Sequence, residues 1–246
     1  MSQKVFVPHY SFNPATKCYC NSGNLFCECC GDTSPTRSTP RGISIIKGFL
    51  SAQECKQFVR FAEKQGREWL KLNDEERSTE KKLVLKKDPG RVTQRVDVYK
   101  KQKQIEQWIT TACTEHVEPA FNQSAQWFEE PQLLRYGPGG MYQPHSDADA
   151  VDIETQRYHR VIDRDFSVLV YLNDNYEGGG LHFVGQDYTY QPSAGDLAFF
   201  PSGNLFVHES LPILSGTKYA LVSWGAFLGS PRITPQPTFR VIHIPH

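Results

Sequence analysis

Between Pro131 and residue 228 the chain divides into short runs of strand-forming residues separated by turn residues, and no long helical period interrupts them. The runs are Gln132 to Tyr136, Tyr142 to Asp147, Phe166 to Leu172, Leu181 to Val184, Leu197 to Phe200, Leu205 to His208 and Lys218 to Phe227. Pro138-Gly139-Gly140, Gly178-Gly179-Gly180 and Ser215-Gly216 supply the bends. Runs this short cannot each bury a core alone, and many of them at this spacing point to a double-sheet jelly roll. The glycines at 178 to 180 are read as a turn, because no Lys-Ser/Thr pair and helix follow them as a phosphate loop requires.

The part ahead of this region reads as support. Gly42 to Leu50 is strand-like, and Ser51-Ala52-Gln53-Glu54 is a capping box that opens a helix with Cys55, Phe58, Val59 and Ala62 on its buried face. Arg91 to Tyr99 alternates as a strand does. From Lys101 to about Ala120, the positions Ile105, Trp108, Ile109, Ala112, Cys113, His116 and Val117 make a second amphipathic helix. Asp74 to Lys87 is charge-dense and reads as a solvated loop. Lys+Arg 27 balances Asp+Glu 27, so no global field favours nucleic acid or a membrane surface. With no apolar run long enough for a span and no basic-apolar leader at the start, a cytoplasmic location is expected.

Chemistry enters at His145 and Asp147. In an extended strand they point the same way with one residue between them. His208 is the candidate third ligand. Two imidazoles and one carboxylate on one face of a metal, with the remaining positions open, suit a non-heme Fe(II) centre that uses dioxygen. Such a reaction needs electrons, and no flavin, heme or nicotinamide motif is visible. A 2-oxo acid that chelates the iron and is decarboxylated would supply them. Its far carboxylate needs a cation, and Lys218 opens a strand in which Lys218, Ala220, Val222 and Trp224 share a face. Tyr136 and Tyr171, read as lying on neighbouring strands, can donate phenolic hydrogen bonds to the same group. As isolated residues, Tyr136, Tyr171 and Trp224 would equally serve as aromatic core.

Taken together, Leu134-Arg135-Tyr136, Tyr142-x-x-His145-x-Asp147, Tyr171-Leu172-Asn173, Gly179-Gly180-Leu181-His182-Phe183, Gly195-Asp196, His208, Gly216-Thr217-Lys218-Tyr219 and Trp224 resemble the Fe(II)/2-oxoglutarate dioxygenases of the prolyl 4-hydroxylase family. Residues 131 to 228 carry the likeness, with a looser match from residue 41 through Phe49-Leu50-Ser51-x-x-Glu54-Cys55. The resemblance implies an α+β fold with a double-stranded β-helix (jelly roll) core and supporting N-terminal helices. It implies that His145, Asp147 and His208 bind Fe(II), and that Lys218 with Tyr136 and Tyr171 anchors 2-oxoglutarate. Tyr142, Arg164 and Trp224 match positions that contact the substrate, although Gly180 stands where many relatives carry Glu. The implied reaction uses O2, with ascorbate as accessory reductant, to hydroxylate a prolyl residue of a protein or peptide, releasing succinate and CO2. Two alternatives stay open: a hydroxylase of free proline or another small molecule, and a non-catalytic scaffold that only binds partners. The connection from Ala148 to Asp165 reads as a substrate lid or a solvated surface loop. His159 and His182 are not expected as ligands, and His243 and His246 read as exposed ends.

Five of the seven cysteines fall between Cys18 and Cys30, a clustering that favours metal over a disulfide framework. Cysteine thiolates in two close pairs around a Ser-Gly turn can close a tetrahedral Zn(II) site whose binding energy folds so short a segment. The order Cys18-x-Cys20-x-Ser22-Gly23, then Phe26, Cys29-Cys30-Gly31, resembles the SEC-C zinc knuckle of the SecA translocation ATPase. That match makes Cys18, Cys20, Cys29 and Cys30 the zinc ligands, with Cys27 a surplus thiol able to replace one of them. The expected layout is a knuckle and lead-in over 1–36, a linker over 37–41, supporting strand and helices over 42–130, the catalytic core over 131–230 and a tail over 231–246. The knuckle points to a macromolecular substrate, such as a component of translation.

Overall fold

The computed structural model describes residues 24, 25, 28, 39–73 and 85–245, so Cys18, Cys20, Cys27, Cys29 and Cys30 lie outside the described residues. The architecture is organised around one strand, Lys218–Phe227, in which every residue is buried. Antiparallel neighbours flank it on both sides: Phe166–Tyr171 on one, Gln132–Tyr136 and then Ala125–Glu129 along the other. The larger sheet continues outward through Leu197–Pro201 to Ser44–Ile46, and through Gln94–Val96 to Arg67–Trp69. Val241–His243 adds a strand outside Ala125–Glu129 and brings Ile244 to 5 % exposure, so residues beyond 231 dock on the core. A second antiparallel sheet runs Tyr188–Tyr190, Leu181–Phe183, His208–Ser210, Met141–His145, Arg91–Val92. The two sheets form the jelly roll.

The period of two along the central strand separates two environments. Tyr219 and Leu221 pack with Leu133, Val168, Val170, Leu197 and Phe199 against the helices. Lys218, Ala220, Val222 and Trp224 face the second sheet and line the cavity. The helix Ala52–Ala62 starts where its capping box predicts: Ser51 and Glu54 bond reciprocally, each to the other's backbone N–H. Cys55, Phe58 and Ala62 are its buried residues. In the second helix Ile105, Trp108, Ile109 and Ala112 are buried as their spacing requires.

Several details depart from the sequence expectation. The second helix is α-helical only over Gln102–Ala112, then widens to a π turn at Cys113–Val117 before a short helix, Glu118–Phe121. Pro119 explains this: it has no N–H for the carbonyl four residues back and its ring crowds that carbonyl, so the turn before it opens. His116 sits edge-on to Phe49. The expected strand from Leu205 is instead a 3-10 turn, Asn204–Phe206, and the strand begins at His208. The strand ending in the ligand pair stops at His145, leaving Asp147 in the bend beyond. Within the charge-dense loop, Leu85–Lys87 pairs with Lys71–Asn73, while residues 74–84 lie outside the described residues. Within the connection from Ala148 to Asp165, Asp149–Val151 and Tyr158–Arg160 form a hairpin. Tyr136 and Tyr171 lie on the two strands that flank Lys218–Phe227, one on each side.

Replacing the cap in Ser51→Ala removes one helix N–H acceptor and is expected to cost about 1 kcal/mol in urea unfolding; an unchanged midpoint would show that tertiary packing alone sets the helix start.

Candidate active site

His145 ends one strand and His208 begins its antiparallel partner, and the register sets the two residues opposite each other. Asp147 reaches the same point from the bend. The ligand atoms of the three residues all lie within 4.8 Å of one another. Nδ1 of His145 is 2.9 Å from the Gln143 carbonyl oxygen, and Nδ1 of His208 is 2.9 Å from that of Phe206. A carbonyl only accepts, so both rings carry a proton on Nδ1 and turn Nε2 inward. Those two nitrogens lie 3.4 and 3.5 Å from the oxygens of Asp147. Burial pushes the His208 imidazolium down to about 4, keeping the ring neutral. Burial would raise the Asp147 carboxyl, but His208, His145 and the Ser167 hydroxyl outweigh it and hold the group well below the usual carboxylate range. Two ring nitrogens and a carboxylate thus converge. A divalent cation satisfies that arrangement.

The groups behind Asp147 fix its orientation. Ser167 donates to Oδ2 at 2.7 Å and lies 2.7 Å from the Ser202 hydroxyl, with all of these groups buried. Arg164 donates to the Asp147 backbone carbonyl at 3.0 Å, grips Glu129 with two other nitrogens and lies 3.9 Å over the Trp224 ring. The guanidinium expected to contact substrate is therefore already committed to a buried carboxylate. Burial raises the Glu129 carboxyl against the pull of Arg164. Tyr142 stacks on His145 with ring centres 3.6 Å apart, and Arg91 covers its other side at 4.5 Å.

The other side of the same cavity is a cation pocket. Lys218 is 2 % exposed and, among the described residues, no carboxylate lies within ion-pair distance of it. Its ammonium donates to the Gly179 carbonyl at 2.6 Å and to the Ser210 hydroxyl at 3.0 Å, which leaves one N–H. Burial pushes it down to about 7. The hydroxyl of Tyr171, fully buried, has no hydrogen-bond partner. The lysine nitrogen stands 5.3 Å from the Tyr136 ring centre and 5.4 Å from that of Tyr171. An unpaired buried ammonium beside an unpaired buried phenol is costly unless an anion completes it. A carboxylate fits that set of donors. Glycine at 179 is part of the cradle: its φ is +65°, and a β-carbon there would stand 2.4 Å from Ile213 Cδ1.

Residues 131–225 match the 2OG-Fe(II) oxygenase superfamily. The chain carries a 2OG-Fe(II) oxygenase domain. Curated relatives include prolyl 4-hydroxylase 1 of Arabidopsis thaliana, 29 % identical over 38 % of this chain and 39 % of that protein. Another is the 2-oxoglutarate and iron-dependent oxygenase domain-containing protein 3 of Rattus norvegicus, 32 % identical over 31 % of this chain and 28 % of the relative. The curated matches span between 28 % and 62 % of the relatives' own lengths. Among solved structures, the viral collagen prolyl hydroxylase of Paramecium bursaria Chlorella virus-1 in its 2OG complex superposes with a TM-score of 0.52 at 22 % identity, covering 76 % of this chain and 97 % of that one. A prolyl hydroxylase of Trichoplax adhaerens bound to a hypoxia inducible factor peptide fragment gives 0.52 at 19 % identity, covering 75 % and 83 %. At these identities the structural likeness establishes the fold. No helix among the described residues is long and apolar enough to cross a membrane.

The structure brings His145, Asp147, His208, Lys218, Tyr136, Tyr171, Tyr142 and Trp224 to one cavity. Arg164 stands behind its wall. His182, exposed and bonded to Thr189, stays outside, as does the exposed His243. Sequence reasoning missed Arg91, Glu129, Ser167 and Ser210. The two serines were within reach of the alternation rule, since Ser210 shares the face of His208; nothing local marks Glu129 or Arg91.

Because Ser167 aims the ligand carboxylate, Ser167→Ala is expected to weaken Mn(II) binding by roughly tenfold with little change in melting temperature; equal metal affinity in titration would remove Ser167 from the site.

Proposed function

We propose that the protein is an Fe(II)- and 2-oxoglutarate-dependent dioxygenase that hydroxylates a prolyl residue of a protein or peptide, releasing succinate and CO2. The carrying observation is a single cavity with two histidines and an aspartate converging at one side and a buried ammonium and phenol without an anionic partner at the other. In this reading His145, Asp147 and His208 hold Fe(II) through two Nε2 atoms and a carboxylate oxygen, and Lys218 with Tyr171 and Tyr136 holds the far carboxylate of 2-oxoglutarate. The iron with its co-substrate supplies the oxidising chemistry for O2. The chain's own part is to orient and to exclude water. Tyr142, stacked on His145, and Trp224, held under Arg164, wall the side open to substrate. Arg164 acts through the backbone of Asp147 and the face of Trp224. The names of the curated relatives and the peptide complex of the Trichoplax enzyme support a prolyl and peptide target.

The cysteine cluster extends the reading. Cys18, Cys20, Cys29 and Cys30, with Cys27 in reserve, would close one structural Zn(II) site that brings the enzyme to a macromolecular substrate such as a translation component.

With Fe(II), ascorbate and 2-oxoglutarate, succinate release is expected to rise with proline-containing peptides and to vanish in His145→Ala. Stimulation by free proline alone would move the target to a small molecule, and no turnover with any substrate would leave a binding scaffold. Lys218→Ala should raise the 2-oxoglutarate KM more than about tenfold while metal binding is kept; equal loss of both would assign the lysine to folding. Because the buried ammonium titrates at about 7, only its protonated form pairs with the carboxylate. Calorimetry on Mn(II)-loaded protein should then give a 2-oxoglutarate Kd that is flat below about pH 6 and weakens up to ~tenfold per pH unit above 7. For the knuckle, metal analysis should find one zinc that Cys29→Ser removes without loss of turnover chemistry, and unchanged zinc would refute the site.

A further inference from the structure

We infer that Ser210 is a third donor to the far carboxylate of the 2-oxo acid, alongside Lys218 and Tyr171, and that it sharpens selection for a dicarboxylic co-substrate. The inference rests on the co-substrate reading above. Ser210 belongs to the strand His208–Ser210, which pairs in regular register with Leu181–Phe183, so Ser210 and His208 point to one side. It lines the same cavity as Lys218, His208 and Tyr171, and is 8 % exposed.

The hydrogen-bond inventory gives the hydroxyl its role. Ser210 Oγ accepts from the Lys218 ammonium at 3.0 Å. A hydroxyl that accepts in this way still has one hydrogen to donate. Among the described residues no bond from Ser210 Oγ to an acceptor is found, and the Tyr171 hydroxyl likewise has none. Lys218 itself spends one N–H on Gly179 and one on Ser210, leaving one. Three donor hydrogens therefore remain, one each from Lys218, Tyr171 and Ser210. A carboxylate offers about four lone-pair sites, enough to take all three. The serine also has an electrostatic consequence. Accepting from an ammonium polarises its own O–H, so the bond it makes to an anion is strengthened by the charge behind it. A monocarboxylic 2-oxo acid leaves these three donors unpaired in a buried pocket, and a site with stranded donors rejects such a ligand.

The test compares 2-oxoglutarate with 2-oxopentanoate, which has the same keto acid end and no far carboxylate. Each is titrated by calorimetry into the full-length protein loaded with Mn(II), as wild type, Ser210→Ala, Ser210→Gly and Ser210→Thr. The expected result is that Ser210→Ala and Ser210→Gly weaken 2-oxoglutarate by roughly tenfold, bind 2-oxopentanoate as well as or better than wild type, leave Mn(II) unchanged, and that Ser210→Thr, which keeps the hydroxyl, retains the wild-type preference. Equal 2-oxoglutarate affinity in wild type and Ser210→Ala, or an equal loss for both acids, would overturn the assignment of Ser210. Wild-type protein that binds the two acids equally would overturn the co-substrate reading itself, and with it this inference.

Discussion

The alternation of the Lys218–Phe227 strand between two surroundings is the constraint on which the rest of the structure depends. One side of this strand is pressed onto the helices through Tyr219 and Leu221, and the other walls the cavity through Lys218, Ala220, Val222 and Trp224. Its neighbours obey the same rule: Leu133 faces the helices and Leu134 and Tyr136 the cavity, Val168 and Val170 the helices and Leu169 and Tyr171 the cavity. A slip of one residue would exchange the two sets, burying the ammonium in the apolar core and turning Leu221 into the site. The helices therefore do more than cover a sheet. By anchoring one face they specify the register that builds the other.

That second face carries groups that fit poorly together in an empty protein. Two imidazole nitrogens look onto a carboxylate, and a lysine and a tyrosine lie buried without an anionic partner. Interiors tolerate such arrangements where a ligand completes them. The surrounding packing holds them in place: Ser167 and Arg164 behind Asp147, backbone carbonyls behind both histidines, the glycine turn at 178–180 behind Lys218. Preorganisation of this kind makes the site ready for a cation and a carboxylate at separate ends.

Much of this was legible from residue order because it depends on short-range periodicity. The capping box at Ser51, the buried faces of two helices, the whole of Lys218–Phe227 and the pointing of its lysine follow from periods of two and 3.6. The spacing of His145 and Asp147 and the identity of Lys218 carried the candidate site. What was not legible depends on partners far away in sequence. The β-branched residues of Val241–His243 favour a strand, but its partner, the edge of Ala125–Glu129, lies far away in the sequence. The 149–160 hairpin is a local pairing, whereas the 3-10 turn before His208 is tied to it by the Asn204 N–H donating to Asp149 Oδ2.

The amino-acid sequence by itself determined the kind of chemistry, since two histidines, an aspartate, a lysine and the strands that display them are local facts. The tertiary structure decided how those groups are held. Lys218 is placed between Tyr136 and Tyr171 only because its strand lies between theirs. Arg164, expected at the substrate, is turned by Glu129, 35 residues away, into a brace for Asp147. Ser210 lies beside the buried ammonium because Lys218 reaches across to its hydroxyl. The physical reason is the same in each case: a hydrogen bond or ion pair needs a distance of about 3 Å, and local sequence sets the direction of a side chain but not what stands opposite it.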